Sequence, residues 1–473
     1  VMATQLSAIS FISAPAFVGL REGGGLIWLS YELALPIAVL LMLWRLLPTL
    51  HQSGVVSVYD FLERRFERST RLLISFVFQL SRSFATAIMI YAISLILQGT
   101  MGLEQWHSIV VIGVITLIYS AMGGMKAVVF GDAVQMIIIL AGALTCLFVA
   151  LDVIGGVDAA MALVDSDRME AVNMDSLGLN GNDFGLLPML FGGIVLYASY
   201  YGCDQSEAQR SLSANSVTDL RKVMYTVALS RFPITVIYCT TGLVIGALVL
   251  NTPSLQAQIP TDQPDWMMPV FIVNYLPEGV IGLLVVAIMA AAMSSLSSAI
   301  NSLAAVTTED FCRYKGHEPS DDEYMRFART AGIGWGLVTL VLSLFAGDIA
   351  PTIIEAINKI GSVFYGPVLA TFLLGIHSKS ITAKAANIGL LLGVFSNTFL
   401  WLSDNPIFWF WWNAIGFAVT VISGHIANRL IPASNKATPQ ASFAGLNTRM
   451  IVVLSAWSAV LLYICFNLSD WLA

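Results

Sequence analysis

Four hydroxyls sit inside one apolar stretch of this chain, in Ala290-Ala291-Ala292-Met293-Ser294-Ser295-Leu296-Ser297-Ser298. Ser294, Ser297 and Ser298 stand at i, i+3 and i+4, so a helix carries them on one face, with Ser295 turned from them by about 100°. A hydroxyl in hydrocarbon costs free energy unless it has a partner. Two readings account for the cluster. Neutral oxygens gathered on one face suit a hard, weakly charged cation such as sodium. Small residues at a helix interface, on the other hand, let two backbones approach closely. The segment alone leaves both open.

Ionisable side chains interrupt other apolar stretches. Asp132 opens one of them, in Gly131-Asp132-Ala133-Val134-Gln135, shortly after the pair Gly123-Gly124. A carboxylate there could hold a cation, or simply favour the positive end of a helix dipole. Arg82 lies about ten residues into its segment, roughly 15 Å deep at the rise of an α-helix. Arg231 stands just before Pro233, and Lys359 follows Asn358 in a segment interrupted by Gly361, Gly366 and Pro367. Each cation is a candidate to bind an anionic solute, or to pair with a buried carboxylate such as Asp204, Asp132 or Glu355. The chain begins Ala3-Thr4-Gln5-Leu6-Ser7-Ala8-Ile9-Ser10, followed by Ser13-Ala14-Pro15. Polar residues and a proline at membrane depth predict a broken helix, whose free carbonyls can bind cations.

The elements that position these residues follow from composition. Of 473 residues, 57% are hydrophobic and only 11% charged, against about 25% charged in soluble domains. The chain is therefore expected to be a polytopic, all-α integral membrane protein. Thirteen stretches are long enough to span a bilayer, at about 17–25 residues each: 2–19, 25–48, 72–98, 106–122, 131–151, 184–203, 223–250, 267–306, 328–347, 351–375, 382–402, 409–429 and 449–469. The eighth is too long for one span and is expected to include a loop helix. The first starts without a preceding loop, which predicts a further segment before it. If the first span runs outward, eighteen of the 23 Lys and Arg fall on the cytoplasmic side, and only Arg21 and Arg168 outside. That asymmetry is what the positive-inside rule requires. The loop at 152–183 is then external and acidic, and Trp409, Phe410, Trp411 and Trp412 are expected at the outer interface as belt residues. The net charge of −7 resides in loops. No basic tract, metal-ligand cysteine spacing or nucleophile–base constellation is present, so neither a nucleic-acid partner nor an enzyme is expected.

The pieces together resemble the sodium/solute symporter family, which includes sodium/glucose, proline, iodide, multivitamin and sialic acid transporters. The matching stretches are Ala3 to Phe11, Gly123 to Val129, Gly131 to Gln135, Gln209-Arg210, the serine segment at 290–302 and Gly366-Pro367. The resemblance implies a LeuT-like fold in a multi-pass protein of the cell (inner or plasma) membrane. Residues 1–151 and 184–375 would form two inverted five-helix repeats, 152–183 an external loop and 376–473 three additional helices. It implies sodium-coupled symport of a small-molecule solute, with the lipid bilayer as the other partner and no obligate protein partner expected.

Carried over by motif, one sodium ion would be held by the carbonyls of Ala3, Leu6 and Ala291 and the hydroxyls of Ser294 and Ser295. A second, as in sialic acid transporters, would be held by Asp132 with Ser294, Ser297 and Ser298. By the same match Gln5, Ser7 and Ser10 face the solute. The arginine that grips sialate in those relatives aligns with Ala85, one turn from Arg82. Arg231, Lys359 and Tyr197 align with sugar-contacting positions that carry a lysine, a glutamine and an asparagine in those relatives, and Tyr200 aligns with an inner-gate tyrosine. Three buried cations favour a carboxylated solute, an acidic sugar such as sialic acid or a monocarboxylate. The alternatives are a neutral sugar of the glucose or galactose type, and a transporter-like sensor lacking a kinase domain.

Overall fold

The computed structural model describes residues 8–472 apart from 56, 123–124, 182–183, 316–319 and 432–446, and gives the backbone alone for 8, 119–122, 125–133 and 311–315. All regular structure among the described residues is helical. The principal helices are α1 (Ala8–Gly19), α2 (Leu26–Gln52), α3 (Arg68–Met101), α4 (Gln105–Met122), α5 (Met125–Ile154), α6 (Leu186–Cys203), α7 (Val217–Leu250), α8 (Glu278–Lys315), α9 (Asp321–Ser343), α10 (Ile353–His377), α11 (Ala383–Leu402), α12 (Trp409–Leu430) and α13 (Thr448–Leu472). Ten helices are individually long and apolar enough to cross a membrane, while those at Ile9–Gly19 and Gln105–Ile118 are shorter apolar helices. α9 is in neither group: beyond its acidic first turn, Asp321 to Glu323, Arg326 and Arg329 lower the mean hydropathy of what remains. Each of the thirteen expected stretches overlaps one of these helices.

The eighth stretch divides as expected. A short helix, Met267–Tyr275, ends at Leu276, which is extended with ψ of 147°. Pro277 follows it, and a residue before proline is pushed out of the helical region. Side chains fix the starts of four of the long helices. Ser216 accepts from the Asp219 amide at 3.1 Å to begin α7. Thr352, Thr382 and Ser320 cap α10, α11 and α9 in the same way, a device worth about 1 kcal/mol each.

Helix α1 occupies the centre, packed against α3, α5, α7, α8 and α10. Its contact with α7 is made by glycines. A methyl group at Gly19 would lie 2.6 Å from the Gly242 carbonyl oxygen and 3.0 Å from the Gly246 Cα. The two backbones therefore touch, as small residues four apart permit. The break expected in the first stretch does not fall at Ser13-Ala14-Pro15, because α1 runs unbroken from Ala8 to Gly19 with Pro15 inside it, and residues 3–7 lie outside the described ones.

Charges tie the two ends of the bundle. At one end Arg71, at the start of α3, binds Asp60, Glu63 (2.9 Å) and Asp310 of α8 (3.0 Å). At the other end Arg21 pairs with Glu355 of α10 at 3.0 Å. Arg168, from the acidic loop, donates to the Val18 and Arg21 carbonyls at the end of α1.

The aromatic cluster corrects one expectation. Trp409, Phe410 and Trp412 are 5%, 0% and 4% exposed, so they are core rather than belt residues. The loop at 152–183 lies over them: Phe408 N donates to the Gly178 carbonyl at 2.8 Å, and Gly181 N to the Pro406 carbonyl at 2.9 Å. Covered in this way, the rings pack with Phe184 and Trp28 instead of meeting lipid headgroups. Only Trp411 keeps the amphipathic position, its indole N–H donating to the Leu177 carbonyl.

Asp265, in the turn before the short helix, accepts from the Ile353 amide at 2.9 Å and so fastens the start of α10. It is 4% exposed, and its second oxygen accepts no hydrogen bond among the described residues. Burial pushes its carboxyl up to about 7, with the Glu355 charge adding to the rise and Ser13 and the Ile353 amide opposing it. A raised carboxyl favours the folded state while protonated. Its contribution is complete below the ordinary value of 3.8 and lost as the pH rises through about 7. The thermal unfolding midpoint in detergent should therefore fall between mildly acidic and mildly alkaline buffer, and Asp265→Asn should flatten that slope.

Candidate solute and cation sites

A cavity of about 120 Å³ lies in the middle of the bundle, beside α1. Helix α1 contributes Ile9 and Ser10, α2 Trp28 and Tyr31, and α3 Arg82, Ala85 and Met89. Helix α6 adds Leu196, Tyr197 and Tyr200, α7 adds Arg231, α8 adds Ser295, and α10 adds Ile354, Ile357, Asn358 and Tyr365. Arg82 and Ala85 both line it because residues three apart share a helix face. Ser10, Arg82, Tyr197, Tyr200, Arg231 and Ser295, scattered over 286 positions of sequence, thus meet at one place.

The two arginines differ in how well their charges are matched. Arg231 Nε donates to Glu32 Oε1 at 3.1 Å. Glu32 also accepts from the Tyr197 hydroxyl at 2.9 Å and from Thr235 Oγ1 at 3.1 Å. It is 1% exposed and its charge is held by three donors. The network fixes one wall of the cavity, since Tyr197 stacks on Tyr31 with ring centroids 4.5 Å apart and planes 8° apart. Arg82 is matched less closely. Its Nη1 stands 3.8 Å from Asp204 Oδ2, and its buried Nε has no hydrogen-bond partner among the described residues. Asp204 is divided between this arginine and the start of the short helix Gln205–Leu212, where it accepts from the Ser206 amide at 2.9 Å. Tyr200 packs edge-on against Tyr365 at 6.1 Å, next to Arg82 in the cavity wall.

Lys359 is not brought to the cavity. Its Nζ donates to the Ile349 carbonyl at 3.3 Å, and its neighbour Asn358 takes the place in the lining. Glu32 is the residue that the sequence analysis passed over. The signal was a lone carboxylate seven residues into the apolar stretch 25–48, which needs a buried donor as surely as Arg231 needs an acceptor.

The serines of α8 occupy two settings. Ala291, Ser294 and Ser297 are buried, and Ser295 is buried at the cavity edge. Asn301 donates to Ser297 at 3.4 Å. Ser298 is half-buried and accepts from Arg210 Nη2 at 3.0 Å. Ala3, Gln5, Leu6 and Ser7 lie outside the described residues, as does the Asp132 side chain. Among the described residues no group of three His, Cys, Asp or Glu side chains is placed to hold a metal ion. The oxygens gathered beside α1 are neutral ones, the donor set that sodium takes.

A helical membrane bundle with a polar cavity at its core and hydroxyls gathered beside it is built as a solute transporter. The profile of the sodium:solute symporter family matches residues 1–393, and the chain belongs to that family. The fold is LeuT-like. A solved structure of a Na+-coupled sialic acid symporter in a substrate-bound, outward-open state superposes with a TM-score of 0.78 at 25% identity, covering 91% of this chain and 89% of that one. The sodium/sialic acid symporter NanT of Aliivibrio fischeri is 26% identical over 430 residues, covering 90% of this chain and 83% of the relative. The sodium-coupled monocarboxylate transporter 2 of Danio rerio is 27% identical over 395 residues. The match covers 62% of that transporter's length, and 55% of a rabbit (Oryctolagus cuniculus) sodium-dependent multivitamin transporter.

The Glu32 network yields a stability prediction. Glu32→Ala leaves the Arg231 charge buried without its acceptor and should cost about 3–5 kcal/mol. The cost is read as a lower thermal midpoint of the purified protein. Replacing Arg231 by Met in the same chain should recover most of it.

Proposed function

We propose that this protein couples the entry of sodium to the import of a small carboxylated solute by alternating access. The observation that carries the solute class is Arg82. It is a buried guanidinium in the cavity wall, with its nearest carboxylate only at 3.8 Å and one N–H unused among the described residues. Arg231 is already neutralised by Glu32 at 3.1 Å. A solute carboxylate entering the cavity would complete the partners of Arg82, whereas a neutral hexose would leave them as they are. A planar guanidinium is suited to two parallel hydrogen bonds with a carboxylate. The relatives transporting sialic acid and monocarboxylates support the same class.

Sodium is the coupling ion in this reading. We assign a first ion to the carbonyls of Ala3, Leu6 and Ala291 with Ser294 and Ser295, and a second to Asp132 with Ser294, Ser297 and Ser298. Ser295 lines the solute cavity as well, so an ion held there stiffens the wall that the solute meets. Gln5, Ser7 and Ser10 of the first segment, with Tyr197 and Tyr200, complete the solute site, and Lys359 serves the end of α10 instead. We read residues 1–151 and 184–375 as the two repeats that rock against one another. Each sodium ion descends the membrane potential with about 2.3 kcal/mol per 100 mV, so a second ion doubles that drive.

Uptake into proteoliposomes, with a panel of sialic acids, monocarboxylates and neutral hexoses under an inward sodium gradient, tests the reading. Sodium-dependent uptake confined to the acids is the expected result, and uptake of hexoses alone would overturn the solute class. Arg82→Ala should abolish uptake of the acid while sodium still raises the thermal midpoint. The sodium dependence should have a Hill coefficient of about 2, falling toward one in Asp132→Ala. Because Ser294 belongs to both ion sites, Ser294→Ala should weaken sodium dependence more than the Ser295, Ser297 or Ser298 changes do.

A further inference from the structure

One of the proposed sodium ligands is already engaged by the protein itself. Arg210, on the short helix Gln205–Leu212, directs Nη2 at Ser298 Oγ from 3.0 Å. A guanidinium and a sodium ion both need the lone pairs of that oxygen, and two positive charges in a desolvated site repel strongly. The two are therefore alternatives. A second position for the arginine lies beside it. Glu207, one turn earlier on the same helix, is 0% exposed, and neither of its carboxylate oxygens accepts a hydrogen bond among the described residues. Its Oε1 stands 3.9 Å from Arg210 Nη1, too long for a hydrogen bond and short enough for a small rotation to close.

We propose that Arg210 is a tethered competitor for the second sodium ion. It moves from Ser298 onto Glu207 when the ion binds and returns to Ser298 as the ion leaves toward the cytoplasm. The inference rests on the second-site reading above and adds the device that empties that site. Without a competitor, an ion bound tightly enough to couple transport would be released slowly. A residue that takes over the vacated oxygen lets the same site bind well from one side and release to the other. The helix that carries Arg210 begins at Asp204, the partner of Arg82 in the cavity wall. Solute and second ion thus act on opposite ends of one short element.

Sodium alone is the probe, with potassium replacing it at constant ionic strength. Equilibrium binding of radiosodium to the purified full chain, and the sodium-induced rise of its thermal midpoint, are measured together. The wild-type protein should bind two ions, and Ser298→Ala should lose or weaken the second. Arg210→Ala should tighten the weaker ion about tenfold, the equivalent of one charge-assisted hydrogen bond no longer surrendered, and should slow sodium efflux from loaded proteoliposomes. Glu207→Gln, which removes the arginine's second position, should weaken the same ion. A purely structural arginine would lower the midpoint without tightening sodium.

Unchanged or weaker sodium binding in a folded Arg210→Ala protein, with Ser298→Ala still losing an ion, would overturn the inference and leave the second site intact. Should Arg210→Ala not fold, unchanged sodium affinity in Glu207→Gln would overturn it. A single ion in the wild-type protein, insensitive to Ser298→Ala, would remove both the second site and its competitor.

Discussion

Charge buried in an apolar bundle has to be matched, and most of this architecture follows from how each match is made. Isolated ions in a low-dielectric interior are costly, and their mutual attraction repays the cost only with good geometry and further hydrogen bonds. Glu32 meets that demand with three donors from α6 and α7, and Arg71 meets it with three carboxylates from two regions of the chain. Arg21 and Glu355 do the same at the other end. These fully matched groups are the fixed points. Arg82, Glu207 and Asp265 are matched in part, and each stands where something is expected to change: the cavity wall, the short helix Gln205–Leu212 and the start of α10. The division between static and responsive regions is set by the completeness of these partnerships more than by packing, which is tight throughout the core.

The central position of α1 joins the two halves of the function. It packs against α8, and its residues Ile9 and Ser10 line, with Ser295 of α8, the cavity that Arg82 and Tyr197 enclose. Ser295 is common to the cavity and the proposed first ion site. Binding at one then alters the other through a shared side chain, with no need for a long pathway of coupled residues, and by linkage the effect is reciprocal. In the proposed reading, sodium and solute are coupled by adjacency.

The legible part of this architecture was the part governed by hydropathy and charge bias. The thirteen stretches emerged because each needs about twenty apolar residues to satisfy its backbone in lipid, and the lysine and arginine asymmetry ordered them. Arg82, Arg231, Tyr197 and Tyr200 stood out as polar groups at membrane depth or as motif matches, and the fold brings them together. What failed was pairing. Nothing in the local pattern around Glu32 says that its partner lies 199 residues away, nor that Lys359 turns to a carbonyl while Asn358 takes its place. The tryptophans at 409–412 have the composition of an interfacial belt, and only the loop folded across them makes them core. Composition reports what a residue tolerates; the chain path decides what it receives.

The contact between Gly19, Gly242 and Gly246 carries a mechanical consequence. With no side chains between them, α1 and α7 have no cushion that could shear, and they behave as one lever. Any tilt of α1 is delivered to α7, and so to Arg231 and Thr235, which grip Glu32 of α2. In the proposed rocking motion the axle therefore does not lie between α1 and α7. The sliding surface of that proposed motion is left to the faces that α1 shares with α8 and α10, beside the polar cavity, so the joint that would move is also the joint that would be loaded.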